Sequence, residues 1–195
     1  MNYTQTDQSG KSYTHMWDVA STKSFDGGFA IDKTTLPAST EKLPKGAFLK
    51  VDHTERTAKV IKTAVIQTAV LTTDTVVKVK KGAMLVSTDV LGVSGKAVTV
   101  GTIDTSNADY DSFAITANAL GALSVNDMIQ TFDAAGSSGK VAVNPDGLNL
   151  CDVEIDTDPT CTVIFRADGV VKSALPQSVT TAIAAALPNV QFLPL

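Results

Sequence analysis

A short phrase built around a glycine turn occurs twice in this chain of 195 residues. Residues 43–50 read LPKGAFLK, and residues 79–86, which begin 36 positions later, read VKKGAMLV. A Lys-Gly pair followed by apolar residues is typical of a tight turn that leads into a strand, because glycine tolerates backbone conformations that other residues avoid. A weaker third copy, with an acidic turn, occupies residues 123–129. The repeat predicts a scaffold of short strands joined by tight turns.

The composition supports such a scaffold. Hydrophobic residues make up 44% and aromatic residues 6% of the chain, so aliphatic side chains must supply most of the core. Val and Thr are abundant, and their branched side chains fit a pleated sheet. Short apolar segments separated by turn residues are typical of a barrel or sandwich. We therefore predict a mainly β fold, a small barrel or sandwich of short antiparallel strands. Candidate strands cover residues 47–52, 58–71, 75–80, 83–87, 97–104, 112–117 and 127–131.

The first 40 residues differ from this β-domain, which we place at residues 41–133. Residues 1–40 are polar and poor in aliphatic side chains, a composition that rarely builds a core of its own. One interpretation is a flexible tail. The other is an N-terminal docking arm that becomes ordered on a partner, because buried aromatic side chains dominate the energetics of interfaces. The candidate docking residues are Met16, Trp17 and Phe25.

A run of small residues at 134–140 marks a second boundary, and residues 134–195 are predicted to form a β-hairpin followed by one short helix. Residues 150–156 alternate between apolar and acidic side chains, as expected of a strand with one solvated face. The helix is predicted over residues 179–187, with Ser178 as its N-cap and Pro188 as its stop. A helix this short must pack on another surface. We expect a dimer or trimer, because closed symmetric assemblies are common. The candidate self-association residues are Ile183, Leu187, Phe192 and Leu193.

Charge is distributed unevenly. Residues 1–100 contain 13 Lys or Arg and 9 Asp or Glu, whereas residues 101–195 contain 3 and 11. A chain that is basic in one half and acidic in the other is not expected to wrap nucleic acid along its length. Two differently charged surfaces explain the asymmetry, and docking between opposite charges is the more specific alternative. No apolar run has the length of a membrane span, and no signal peptide is recognised, so we expect synthesis in the cytoplasm and no membrane partner.

The residues with chemical potential are few, and they do not form a known catalytic motif. Gly139-Lys140 is followed by Val141, so the phosphate-loop pattern fails. His15 and His53 lie on segments of different character, which disfavours a zinc site. We expect no cofactor, no metal and no catalytic residue. A bound cation remains an alternative for the acidic run at 104–111. The alternating acidic residues at 152–158 are better explained as a solvated strand face.

The two cysteines, Cys151 and Cys161, lie in the predicted C-terminal hairpin. A cross-strand disulfide between them is geometrically conceivable. We favour free, buried thiols, because the chain shows no export signal.

A longer stretch carries a resemblance to a known family. It includes residues 61–69 (IKTAVIQTA), the turn and strand at 95–99 (GKAVT) and the run at 103–111 (IDTSNADYD). Together with the C-terminal segment from 170 to 190, this pattern resembles the head-fibre or capsid-decoration proteins of tailed phages that infect Bacteroidales, including the crAss-like group. The resemblance covers residues 43–195. It implies a structural virion protein on the capsid surface that is attached to the major capsid protein, and it implies that residues 104–111 form a rigid turn.

Other functions remain as alternatives. The Lys-Gly turn at 80–82 is similar to a turn of biotinyl- or lipoyl-like β-hammerhead carriers, in which an exposed lysine between small neighbours carries the prosthetic group. Lys96, between Gly95 and Ala97, is the candidate for that lysine. A hydrolase or lectin is a third possibility that no motif in the chain supports.

Overall fold

The computed structural model describes residues 4–6, 12–14 and 16–193 of the chain. Within these ranges the fold is mainly β, with curled sheets that form a half-barrel and one short α-helix near the C-terminus, which confirms the predicted fold class. The strands are β1 (Thr4–Thr6), β2 (Ser12–Thr14), β3 (Asp18–Ser24), β4 (Phe29–Ile31), β5 (Lys42–Leu43), β6 (Phe48–Asp52), β7 (Thr57–Val60), β8 (Thr63–Val65), β9 (Val76–Lys80), β10 (Val90–Val93), β11 (Lys96–Thr99), β12 (Ile103–Asp104), β13 (Tyr110–Ala114), β14 (Met128–Thr131), β15 (Gly147–Asn149), β16 (Val153–Glu154), β17 (Thr160–Cys161), β18 (Val163–Val171) and β19 (Val190–Leu193).

The largest sheet has eight strands and combines strands from residues 18–60 with strands from residues 147–193. Its strands follow the order β17-β4-β7-β6-β15-β18-β19, and β3 also pairs with β18. Strand β18 therefore pairs with three other strands. It is antiparallel to β15 and β3 and parallel to β19. Its pairing with β19 shifts register between Ala167 and Val170, as expected of a bulge, and Gly169 lies there with a φ of 67°.

The middle of the chain forms two smaller sheets. Strands β11, β10, β14 and β8 make a four-stranded sheet, and β12, β13 and β9 make a three-stranded one. Strands β10 and β11 are joined by Ser94 and Gly95, which both have positive φ, as in the tight turns that match strand twist. A separate hydrophobic core, which includes Ile66, Leu91 and Phe113, lies between these sheets.

Strand pairing groups the chain differently from the three predicted segments. Residues 18–31 and 48–60 share the large sheet with residues 147–193, whereas residues 63–131 supply the two smaller sheets. Within the part of the chain that the structure describes, residues 16–40 thus contribute to a core, including the buried Phe29 and Ile31. Whether residues 1–40 also act as a docking arm stays a prediction.

The two Lys-Gly turns lead into different structures. Gly46 and Gly82 both adopt positive φ, 83° and 90°, as the repeat predicts. Strand β6 begins two residues after Gly46, but residues 83–87 form no strand, so that part of the prediction is wrong. The reason is that Met84 has a φ of 51°, which turns the chain away from an extended path. The third copy at 123–129 leads into β14.

The segment 58–71, predicted as one strand, forms two strands in different sheets, β7 and β8. The chain crosses between the sheets at Ile61 and Lys62. The backbone N–H of Ile61 still donates to the Phe48 carbonyl at 2.9 Å, whereas that of Lys62 donates to the Thr131 hydroxyl at 2.9 Å. The change of partner explains why one apolar run serves two sheets.

The helix, α1 (Thr181–Ala186), is shorter than predicted, and its N-cap is Thr180 instead of Ser178. The Thr180 hydroxyl accepts a hydrogen bond from the backbone N–H of Ile183 at 3.1 Å, while Thr180 itself has extended backbone angles. This geometry is that of an N-cap, which satisfies one of the free N–H groups of the first turn. The helix ends at Ala186, and its C-cap residue, Leu187, directly precedes Pro188.

Candidate functional site

The predicted docking residue Trp17 is part of the protein's own core. It is only 2% exposed and belongs to the same hydrophobic cluster as Phe48, Ile164 and Ile183. The Lys45 ammonium lies 4.4 Å from the centroid of the Trp17 ring, a cation–π contact. The buried indole N–H has no hydrogen-bond acceptor among the described residues. The side chain of Trp17 therefore fixes the start of β3 against the sheet.

Met16 is held in a similar way. Its carbonyl oxygen accepts a hydrogen bond from the backbone N–H of Val171 at 2.8 Å. A Cβ atom placed on Gly46 would come within 3.2 Å of the Met16 sulfur, so the thioether packs closely against the Lys-Gly turn. Met16 is half-buried, and its contacts tie it to the large sheet.

A groove lies where residues 17–19 and the C-terminal strand β19 meet β18. Its volume is about 570 Å³. It brings one predicted docking residue, Trp17, together with one predicted self-association residue, Leu193. The exposed side chain of Val19, 62% accessible, stands at its edge. The groove is lined by Trp17, Asp18, Val19, Asp168, Gly169, Val171 and Leu193. Sequence reasoning missed this site because β3 and β19 are about 170 residues apart in the chain and only the fold brings them together.

Like charges face each other on β3 and β18. Asp18 is in register with Asp168, and Lys23 is in register with Arg166. The register shifts between these positions, because Asp18 and Lys23 are five residues apart on β3 whereas Asp168 and Arg166 are two residues apart on β18. Among the described residues, none of the four forms an ion pair within 4.0 Å. Each of the two paired positions thus carries two charges of the same sign.

Phe25, the third predicted docking residue, lies in a different place from Trp17. Its ring centroid lies 4.9 Å from that of His53 and 4.8 Å from that of Phe165, and both Phe25 and Phe165 are half-buried. These rings border a second cavity, of about 320 Å³. Its lining combines aromatic, proline and polar side chains: Phe25, His53, Pro145, Asp146, Phe165, Ala186, Leu187, Pro188 and Asn189. Phe25 is therefore the predicted docking residue that lines this aromatic cavity, and its role in docking stays a prediction.

The candidate self-association residues divide into two groups. Ile183 is fully buried and Leu187 is 3% exposed, because α1 packs its apolar face on the core that contains Trp17. Phe192 and Leu193, on β19, are half-buried. Phe192 and Leu193 are therefore the candidate residues whose side chains can contact a second copy. The side chains of Ile183 and Leu187 pack within the chain instead. Self-association itself stays a prediction.

The acidic run at 104–111 forms turns that are held by their own side chains. The Asp104 carboxylate accepts from the backbone N–H of Ser106, and the Asn107 side chain accepts from that of Asp109, both at 2.9 Å. Hydrogen bonds from Ser106 lower the pKa of Asp104. Asp111 instead pairs with Lys81 at 2.7 Å. Within the described ranges, no group of three or more His, Cys, Asp or Glu side chains is placed to hold a metal ion.

The remaining candidates take separate positions. Cys151 and Cys161 are both free. Cys151 is exposed, contrary to the expectation that both are buried, because it lies in the loop between β15 and β16. Lys96, the candidate carrier lysine, follows the Ser94-Gly95 turn and is half-buried, and the carrier role stays a prediction.

In the described part of the chain, no helix is long and apolar enough to cross a membrane.

Comparisons of this chain with protein-family models, with curated proteins and with solved structures found no match.

Proposed function

We propose that this chain is a structural subunit of a tailed-phage virion, which decorates the outer surface of the capsid by binding the major capsid protein. The observation that carries the proposal is the sequence resemblance over residues 43–195, above all the run IDTSNADYD at 103–111. In this role the chain acts as a binding and scaffolding subunit, without catalysis or a cofactor, and it meets neither nucleic acid nor membrane.

The surface that best suits the capsid contact is the aromatic cavity around Phe25. Half-buried aromatic rings beside polar groups are the features that binding hot spots share, because they add apolar contact area at low entropic cost. Here Phe25 and Phe165 are stacked at 4.8 Å, and the exposed imidazole of His53 covers the edge of Phe25. The rings of Phe25 and His53 also pack edge to face with the buried Phe29, at centroid distances of 6.2 Å and 5.6 Å, which ties them to the core.

A small contact is sufficient for a decoration protein. Capsid subunits are repeated many times, and each decoration subunit that has more than one contact gains effective concentration from the first. A dimer or trimer of this chain would present two or three aromatic cavities to the capsid, so that modest affinity per cavity becomes firm attachment. We therefore propose a homo-oligomer as the attached form.

The test is cosedimentation of the purified chain with shells assembled from the major capsid protein of a Bacteroidales tailed phage. We expect saturable binding, and we expect the double variant His53→Ala, Phe165→Ser to weaken it about tenfold or more. Tyr110→Ser is the matched control, because Tyr110 is also a half-buried aromatic residue but lies on β13, outside the cavity. Absence of binding by the unmodified chain contradicts the proposed function. Equal binding by the double variant and the control contradicts the assignment of the cavity.

A further inference from the structure

Two carboxylates border the groove at β18 without a basic residue beside them. Asp18 and Asp168 both line the groove, and neither forms an ion pair within 4.0 Å among the described residues. The described lining contains no Lys, Arg or His, since the Lys45 ammonium, which contacts the Trp17 ring, is not part of it. A cleft lined by one sign of charge and by apolar walls concentrates ions of the opposite sign. The groove is therefore suited to a cation.

The rest of the groove is largely apolar. Trp17, Val171 and Leu193 form part of its lining, and the Val19 side chain is 62% exposed there. The volume of about 570 Å³ lies in the range of cavities that enclose most of a small ligand. An occupant that fills the groove must therefore combine a positive charge with apolar groups.

A metal ion does not match this lining. A hard cation such as Ca²⁺ takes roughly six to eight oxygen ligands, whereas the groove offers two carboxylates. Across the described residues, no group of three or more His, Cys, Asp or Glu side chains is placed to hold a metal ion. A metal ion would also leave the apolar walls in contact with water. An organic cation uses both parts of the groove.

Two further features suit the main chain of a peptide. The indole N–H of Trp17 is buried and has no acceptor among the described residues, and a buried donor without an acceptor is unfavourable. At Gly169, a Cβ atom would meet no atom within 4 Å, so the lining is open beside the bulge of β18. A peptide in this space brings carbonyl groups that can accept from the indole, which a simple alkylamine does not.

We infer that the groove between β3, β18 and β19 binds an extended peptide segment of a partner protein, in which a Lys or Arg side chain has aliphatic side chains two positions away. Alternate side chains of an extended segment point to the same side, so all of them can enter the groove together. The basic group meets Asp18 and Asp168, and the aliphatic groups contact Val19, Val171 and Leu193. This surface is separate from the aromatic cavity, and the inference does not depend on the proposed capsid role.

Trp17 emission tests binding to the unmodified chain, because Trp17 is the sole tryptophan and lines the groove. The probe is the peptide acetyl-Leu-Gly-Lys-Gly-Leu-amide. We expect a saturable shift in emission that weakens as salt increases, since exposed charges are screened. Acetyl-Leu-Gly-Glu-Gly-Leu-amide should bind more than about tenfold less tightly, because it brings a third negative charge to the groove. Acetyl-Ala-Gly-Lys-Gly-Ala-amide keeps the charge but should also bind less tightly, because it buries less apolar surface.

Variants of the protein locate the contact. Asp18→Asn, Asp168→Asn keeps the shape of both side chains and should weaken binding of the lysine peptide about tenfold or more. Gly169→Asn should also weaken it, because the new side chain enters the open space of the groove and Asn tolerates the left-handed backbone of this position. Asp109→Asn, Asp158→Asn is the matched control, because both carboxylates are exposed and lie outside the groove.

Three results would overturn the inference. The first is the absence of a saturable shift with the lysine peptide at concentrations up to about 1 mM. The second is equal affinity of the unmodified chain for the lysine and glutamate peptides, a comparison that does not depend on the folding of any variant. The third is equal binding of the lysine peptide by Asp18→Asn, Asp168→Asn and by the control variant.

Discussion

The ammonium group of Lys62 lies 2.6 Å and 2.8 Å from the two carboxylate oxygens of Asp89, in the interior of the protein. The Lys62 side chain is 1% exposed, and that of Asp89 is 11% exposed. The same carboxylate accepts a hydrogen bond from the backbone N–H of Val86 at 2.6 Å. The pair therefore fixes the loop before β10 against the crossing point between the large sheet and the four-stranded sheet.

Removal of the acidic partner should be strongly destabilising. Burial already lowers the pKa of Lys62, although Asp89 opposes this shift. Asp89→Asn leaves a buried ammonium without a counter-charge, so we expect a loss of about 3 kcal/mol in the free energy of unfolding. The double variant Lys62→Met, Asp89→Asn should recover much of the loss. Urea denaturation of the single and double variants measures the coupling, and an Asp89→Asn variant as stable as the parent would contradict the prediction.

The two Lys-Gly turns provide a matched pair of substitutions. A Cβ atom on Gly82 meets no atom within 4 Å, whereas one on Gly46 would lie 2.9 Å from a Leu175 methyl carbon. Both residues have positive φ, so Gly82→Ala should cost about 1 kcal/mol through backbone strain alone. Gly46→Ala should cost about 3 kcal/mol, because steric overlap is added to the strain. Thermal unfolding checks the order, and equal effects would show that the packing around Met16 and Leu175 adjusts freely.

The side chain of Gln177 forms hydrogen bonds with two buried main-chain groups, which belong to Phe48 and Ile61. Its side-chain oxygen accepts from the backbone N–H of Phe48 at 2.9 Å, and its side-chain nitrogen donates to the carbonyl of Ile61 at 2.7 Å. Gln177→Met should cost about 3 kcal/mol, because two buried main-chain groups lose their partners. Gln191→Met is the control, because Gln191 is exposed on β19 and should tolerate the change. Chemical denaturation of both variants separates a buried polar contact from a general effect of the substitution.

Cys161 should make stability fall at alkaline pH. Burial, followed by the nearby Cys151, raises the pKa of the Cys161 thiol from 9.0 to about 11, and this thiol donates to the Phe29 carbonyl at 3.5 Å. The unfolded chain therefore loses this proton at a lower pH than the folded chain does. The contribution of Cys161 is complete below about pH 9 and declines by about 2–3 kcal/mol as the pH rises to about 11.

The comparison of the parent with Cys161→Ala isolates the contribution of this thiol to stability, since the variant should lose less stability between about pH 9 and about pH 11 than the parent does. Iodoacetamide at pH 8 should label Cys151, which is exposed, and leave Cys161 unlabelled until the protein is unfolded. Rapid labelling of both thiols in the folded protein would contradict the assignment.

Local patterns in the sequence predict a strand well when a turn marks its start and the whole segment lies in one sheet. Residues 47–52, 75–80 and 127–131 each coincide closely with an observed strand, because Lys-Gly or acidic turns and alternating apolar side chains define them locally. The split of 58–71 at Lys62 has no such local signal. It coincides with the ion pair between Lys62 and Asp89, which lie 27 residues apart in the chain.

The environment of the candidate site residues also depends on contacts between segments that are distant in the sequence. Trp17 and Phe25 looked alike as isolated aromatic residues in a polar segment. The fold buries Trp17 in the core that also contains Ile183 and leaves Phe25 at a surface cavity, although the two residues flank the same strand, β3. The opposed charges of Asp18 and Asp168 depend on strand register between distant segments, which composition and spacing do not specify.

The position of β18 in the large sheet also governs the order in which this protein can fold during synthesis. The core that contains Ile66 and Phe113 is complete once residues 64–129 have left the ribosome. By contrast, β3 must wait for β18, whose residues are made about 140 positions later, before its main chain is paired. Long delays of this kind slow folding and expose unpaired strands to other chains. Residues 18–24 are mostly polar, so this unpaired segment exposes little apolar surface while β18 is still being made.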